Sequence, residues 1–244
     1  MNKVILADSA GFCFGVQRAV DEAIKVQKQY DKKIYTLGPL IHNNDVVNYL
    51  QENNIHVIDF DNAMKLEKGE VVVIRSHGVT KKVIEDLEAN GIKVVNATCP
   101  YVTNIHKKVN KYKDLGYNIV ILGDNNHPEI IGINGWCKDS AIITEDGTFT
   151  GKVPNKVCAV SQTTQKEATW QKTVSNLTAM SKEVLAFNTI CSATEVRQKA
   201  VRELAQKVET MIVIGGNESS NTIKLYQIAK DYCDNTIHIE NARG

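Results

Sequence analysis

Short apolar runs alternate with amphipathic stretches along the whole chain. Residues 4–7, 33–37, 71–74, 94–96, 119–122, 157–160 and 211–214 are rich in Val, Ile, Leu and Ala and three to five residues long. Runs of that length and composition read as buried strands. Between them the apolar positions follow the helical period. Val16, Ala19, Val20 and Ala23 share one face, and so do Val102, Ile105, Val109 and Tyr112. Val196, Ala200, Leu204 and Val208 form a third stripe. Strands alternating with helices predict an α/β protein with short, mostly parallel sheets.

The alternation contains a repeat, and cysteines mark it. Cys13, Cys99 and Cys191 each stand just before one of these helices, 86 and 92 residues apart. Each is followed by a helix, a strand and a polar turn. The turns carry His42, His127 and Ser219, which lie 29, 28 and 28 residues after the respective cysteine. A second polar turn follows in two units, with His77 35 residues after His42 and Thr163 36 after His127. Three copies of one α/β unit are therefore predicted. The expected domains are 14–99, 100–190, and 191–244 together with 1–13. The strand at 4–7 is expected to complete the third sheet. Only 53 residues follow Cys191, so the third unit is expected to be C-terminally incomplete, its second turn falling near position 254. The stretch 145–156, with two Gly and one Pro, reads as a surface loop. Ligands of open α/β sheets bind beyond the carboxyl ends of the strands, so the polar turns of the three units can face one centre.

Composition narrows the classes. With 43% hydrophobic and 23% charged residues, the chain can bury an ample core. Its 29 basic and 28 acidic residues leave no global field for nucleic acid or an anionic membrane. No apolar run approaches the length needed to span a bilayer, and no signal peptide is recognisable, which makes the cytoplasm the default location. Six cysteines without a signal sequence and without a CxxC pair do not read as a disulfide framework.

A single cysteine near a helix start is more often a buried thiol than a ligand. Periodic placement before three helices reverses that reading, because a helix N-terminus favours the thiolate that binds metal. Pro100 supports the second helix start. Three thiolates are one short of a closed site. They can hold zinc with a water, or a [4Fe–4S] cluster with one iron not bound by protein; all-thiolate ligation favours the cluster. Cys158 lies within a strand and reads as core, and Cys137 and Cys233 read as structural. His42, His77 and His127 would each be unremarkable alone, but they occupy equivalent repeat positions and can donate to phosphate oxygens. Thr163, Ser219, Ser220 and Asn221 add neutral donors. Arg75 and Lys224 suit charge compensation and a solvated surface equally. Glu129, in an HPE turn, can act as proton donor beside a metal-bound hydroxyl or be a plain loop carboxylate. His56, His106 and His238 receive no role.

Eight segments together resemble the 4-hydroxy-3-methylbut-2-enyl diphosphate reductase family: AGFCFGV (10–16), LGPLIHN (37–43), RSHGV (75–79), NATCP (96–100), HPE (127–129), SQTT (161–164), TICSAT (189–194) and SSN (219–221). They span essentially the whole chain in family order. The resemblance implies three α/β domains around a central [4Fe–4S] cluster held by Cys13, Cys99 and Cys191. It implies that His42, His77, His127, Ser219, Ser220 and Asn221 bind the diphosphate of a small allylic substrate, that Thr163 positions its hydroxyl, and that Glu129 donates a proton. The implied reaction is reductive dehydroxylation to isopentenyl and dimethylallyl diphosphates, with ferredoxin or flavodoxin as electron donor. It also implies a further turn with one more serine beyond position 244. Two other readings compete: a cluster-dependent hydro-lyase without net electron transfer, and a zinc-stabilised phosphate-ligand binding protein.

Overall fold

The computed structural model describes residues 3–243. The first unit runs α1 (Phe14–Tyr30), β1 (Ile34–Leu37), α2 (Asn44–Glu52), β2 (Ile55–Ile58), α3 (Phe60–Ala63), β3 (Val71–Ile74), α4 (Lys81–Ala89) and β4 (Lys93–Asn96). The second runs α5 (Pro100–Asp114), β5 (Asn118–Leu122), α6 (Pro128–Gly135), β6 (Ile142–Thr144), β7 (Lys156–Ser161), α7 (Glu167–Met180) and β8 (Glu183–Ala186). The third holds α8 (Ser192–Ala205), β9 (Met211–Ile214), α9 (Ser220–Lys230) and β10 (Thr236–Ile239).

All three sheets are parallel, and they share one strand order. The first is β2-β1-β3-β4 and the second β6-β5-β7-β8; the third, β10-β9, repeats the first two positions of that order. The larger sheets are covered on both faces. In β3, Val71 and Val73 pack toward α1 and α2, whereas Val72 and Ile74 pack toward α3 and α4. In β5, Ile119 and Ile121 face the α5–α6 side, and Val120 and Leu122 face α7. This two-sided burial is why the central strands are continuous apolar runs. The third sheet is covered on one face only: Met211 and Val213 are buried with Val201, Ala205 and Ile228, while Ile212 and Ile214 are exposed.

Two sequence expectations are corrected. Residues 4–7 form no strand and do not join the third sheet; Val4 is 92% and Leu6 79% exposed. An apolar run becomes a strand only when an edge pairs with it, and neither edge of the third sheet does. The helix α8 turns a different face inward than its apolar spacing suggested. Thr194, Gln198, Val201 and Ala205 are buried, and Val196 is exposed. Here polar side chains with internal partners compete for the buried face: Gln198 donates to the Gln165 carbonyl.

The first two units lock together at the turn after β3. The small face of α6 presses on it, with Gly132 close to the Gly78 and Val79 backbone and Gly135 close to Thr80. Trp136 Nε1 donates to the Val79 carbonyl and stacks on His106, which packs against Gly78. Gly78 has φ +74°, and a methyl group there would lie 2.7 Å from His106 Cε1. Gly116 has φ +83° with nothing within 4 Å. Both positions disfavour a side chain by about 1–2 kcal/mol, but only Gly78 also clashes. Gly78→Ala should therefore lower the unfolding free energy more than Gly116→Ala in denaturant titrations. Equal losses would show that the His106 contact does not confine the turn.

Candidate active site

The helices α1, α5 and α8 each have a cysteine as N-cap: Cys13, Cys99 and Cys191. Pro100 occupies the start of α5, as its fixed φ favours. Helix N-termini leave amide donors free and carry the positive end of the helix dipole. Sulfur is a weak acceptor, so these groups stay available beside the thiols. Around Cys99 the amides of Tyr101 and Val102 pull the thiol toward thiolate, but burial outweighs them and raises its pKa; Cys191 is raised by burial in the same way. The three thiols interact electrostatically, so they converge. Gly15 makes room for two of them. A methyl there would lie 2.6 Å from Cys99 Sγ and 4.0 Å from Cys13 Sγ. Three imidazoles gather nearby, with one ligand nitrogen of each within 4.8 Å of the others.

The imidazoles are His42, His77 and His127, from the turns after β1 and β3 and the N-cap of α6. Their ring centroids are 4.7, 5.6 and 5.3 Å apart. Burial lowers the pKa of each: His77 falls well below 6.5, with His42, His127 and Arg75 adding repulsion, and His127 drops to about 4. His42 is lowered by burial despite Glu218, 3.7 Å from its Nδ1. All three are therefore neutral near pH 7. The Glu129 amide donates to His127 Nδ1 at 3.1 Å, which leaves the ring proton on Nε2. A metal would need that Nε2 lone pair; an anion needs the N–H. His42 Nε2 and His77 Nδ1 are buried without a partner. The cluster is thus suited to an anionic oxygen ligand rather than to a cation.

Glu129, on the first turn of α6, is 2% exposed. Its carboxyl accepts from the Thr163 amide (2.7 Å) and the Thr163 hydroxyl (2.8 Å). Burial raises its pKa against these two bonds and the nearby Lys224 charge. Backbone bonds tie both parts of the site to the cysteines. The Thr163 carbonyl accepts from the Cys191 amide at 3.0 Å, and the Ser76 carbonyl, next to His77, accepts from the Cys99 amide at 2.9 Å.

The third unit brings the N-terminus of α9 to the site. Ser219, its N-cap, accepts from the Thr222 amide and hydroxyl. The hydroxyl of Ser220 lies 2.9 Å from Thr164 Oγ1, with Gln162 Nε2 at 3.4 Å and Lys224 Nζ at 2.9 Å. Asn221 is half-buried with no side-chain partner among the described residues. Gly216 lets this unit reach the first; a methyl there would lie 2.2 Å from the His42 carbonyl oxygen. All eleven residues singled out in the sequence thus belong to one neighbourhood. Gln162 and Thr164 were passed over, although the SQTT segment contained both. Cys137, Cys158 and Cys233 are buried apart from it, as expected of structural thiols.

A sequence profile of the LytB protein family matches residues 4–244. A 4-hydroxy-3-methylbut-2-enyl diphosphate reductase of Clostridium perfringens strain 13 is 62% identical over 240 residues, covering 98% of this chain and 85% of the relative. One from Clostridium acetobutylicum is 53% identical, covering 99% of this chain but 38% of a longer protein. Among solved structures, one (E)-4-hydroxy-3-methyl-but-2-enyl diphosphate reductase, described as the terminal enzyme of the non-mevalonate pathway, superposes with TM-score 0.73 at 41% identity, covering 98% of this chain and 86% of the other. The reductase of Plasmodium falciparum superposes with TM-score 0.88 at 25% identity, covering 97% and 76%. Among the described residues no helix is long and apolar enough to cross a membrane.

The neutral histidines make a pH prediction. The folded pKa of His127 is about 4, against 6.5 when unperturbed. Between those values the unfolded chain binds more protons, so stability must fall as pH drops from about 6.5 to 4. Denaturant unfolding of the ligand-free protein should show that slope, and His127→Asn should reduce it, with His77 and His106 keeping the remainder. An unchanged slope in the variant would mean that His127 is not buried neutral.

Proposed function

The chain belongs to the LytB protein family, and on that premise we propose that it reduces (E)-4-hydroxy-3-methylbut-2-enyl diphosphate to isopentenyl and dimethylallyl diphosphates. The observation that carries the reading is the juxtaposition of three converging cysteine N-caps with a neutral, donor-lined pocket and a buried carboxyl. The substrate needs each part: a redox centre, a diphosphate site and a proton source.

The family implies an iron–sulfur cofactor. We assign it as [4Fe–4S], with Cys13, Cys99 and Cys191 as its three protein ligands. The all-thiolate donor set and the room that Gly15 leaves beside Cys13 and Cys99 support that assignment. When bound, such a group supplies electrons that no side chain can provide, and an open Lewis-acidic iron. A cytoplasmic ferredoxin or flavodoxin is the reductant this scheme calls for.

The protein's share is binding, orientation and proton transfer. The N–H groups of His42, His77 and His127, with the hydroxyls of Ser219 and Ser220 and the Asn221 amide, hold the diphosphate and fix the allylic end beside the cysteines. The hydroxyl of Thr163 orients the substrate oxygen and stays bonded to Glu129. Overall, the allylic C–O bond breaks, two electrons and two protons enter, and one water leaves. One proton goes to the departing hydroxyl, the other to an allylic carbon. We assign the first to Glu129, a buried carboxyl whose pKa burial raises toward that of a proton donor. Glu129→Gln keeps the shape and removes that proton. Steady-state assays with a chemical reductant should show turnover at least about 100-fold lower, with iron content and affinity for inorganic pyrophosphate retained. Turnover within a few-fold of wild type would remove Glu129 from the proton path.

A further inference from the structure

Every residue assigned above to the diphosphate is electrically neutral near pH 7. The ligand is not, since each phosphoryl group carries roughly one to two negative charges. Two cations face the same pocket. Arg75 lies two residues before His77, and its guanidinium packs over Gly38, where a methyl would meet Nη1 at 2.7 Å. Its Nε is buried with no hydrogen-bond partner. No ion pair among the described residues involves it. Its charge reaches His42, His77 and His127. A desolvated, unpaired guanidinium is costly unless an anion joins it.

Lys224 lies one turn after Ser220 on α9. Its Nζ donates to Ser220 Oγ at 2.9 Å, and its charge reaches Glu129 and His127. Ser220 Oγ also lies within reach of the Gln162 amide. With both lone pairs occupied, its O–H must donate, either to Thr164 or to an arriving anion. His127 feels the charge of both cations.

We propose that Arg75 and Lys224 are the charge-bearing contacts of the anion site, one for each phosphoryl group, so that the pocket selects a diphosphate over a monophosphate. The inference rests on the diphosphate reading given under the proposed function. Loss of one charged hydrogen bond weakens binding about tenfold or more.

Calorimetric titration of the anaerobically purified holoenzyme with inorganic pyrophosphate and with orthophosphate tests it. Arg75→Gln and Lys224→Met should each weaken pyrophosphate binding about tenfold or more and narrow the margin over orthophosphate. Lys224→Arg should restore most of the affinity. Each neutral variant should also reduce the salt dependence of binding, as loss of one fixed charge requires. Should Arg75→Gln fail to fold, Lys224→Met with its Arg rescue decides the matter. Pyrophosphate affinity within twofold of wild type in the neutral variants overturns the inference and leaves the diphosphate reading standing. A wild-type protein that ignores pyrophosphate overturns both.

Discussion

Three helix N-termini must meet at one point, and the rest of the structure follows from that. Each unit contributes one helix whose first amides are unsatisfied and whose N-cap is a cysteine. Bringing three positive helix ends together is unfavourable unless anionic groups accompany them. Thiolates answer that need, and an electron-rich cofactor answers it further. Backbone bonds from two of the cysteines then fix the site, Cys99 to Ser76 and Cys191 to Thr163. Those bonds connect the ligand set to His77 on one side and to Glu129 on the other, so the redox, binding and proton-transfer parts cannot move independently.

Burial then does different work at each polar group. It lowers the pKa of the imidazoles and raises that of Glu129. His127 shows how local structure decides function. Its side chain caps α6, the cap fixes the tautomer, and the tautomer makes it a donor toward the pocket. The same geometry argues against a cation among the three histidines.

Much of this was legible in the sequence, for physical reasons that also explain what was not. The central strands β1, β3, β5 and β7 are buried on both faces and so read as apolar runs. Among the edge strands, β2, β6, β8 and β10 are partly exposed, carry mixed sequences and left no such signal, whereas β4 kept the apolar pair Val94 and Val95 that revealed it. The opposite error occurred at residues 4–7, where an apolar run has no paired edge. Equal spacing revealed the cysteines and histidines because the repeat places them at equivalent turns. Lys224 and Arg75 had no such marker. Their burial depends on how the third unit sits against the other two, which no local pattern encodes. In α8, Gln198 took a buried position because its amide finds a carbonyl, a pairing invisible to hydrophobic period.

The central claim is that the three cysteine N-caps hold a [4Fe–4S] cluster with one iron left for the substrate. Mössbauer spectroscopy on anaerobically purified, iron-57-enriched protein, with iron and sulfide quantified and substrate present or absent, tests it most directly. The account predicts about four irons and four sulfides per chain, with one iron site distinct and altered when the substrate is added. A colourless protein carrying stoichiometric zinc and no sulfide, or four iron sites indifferent to the substrate, would contradict it.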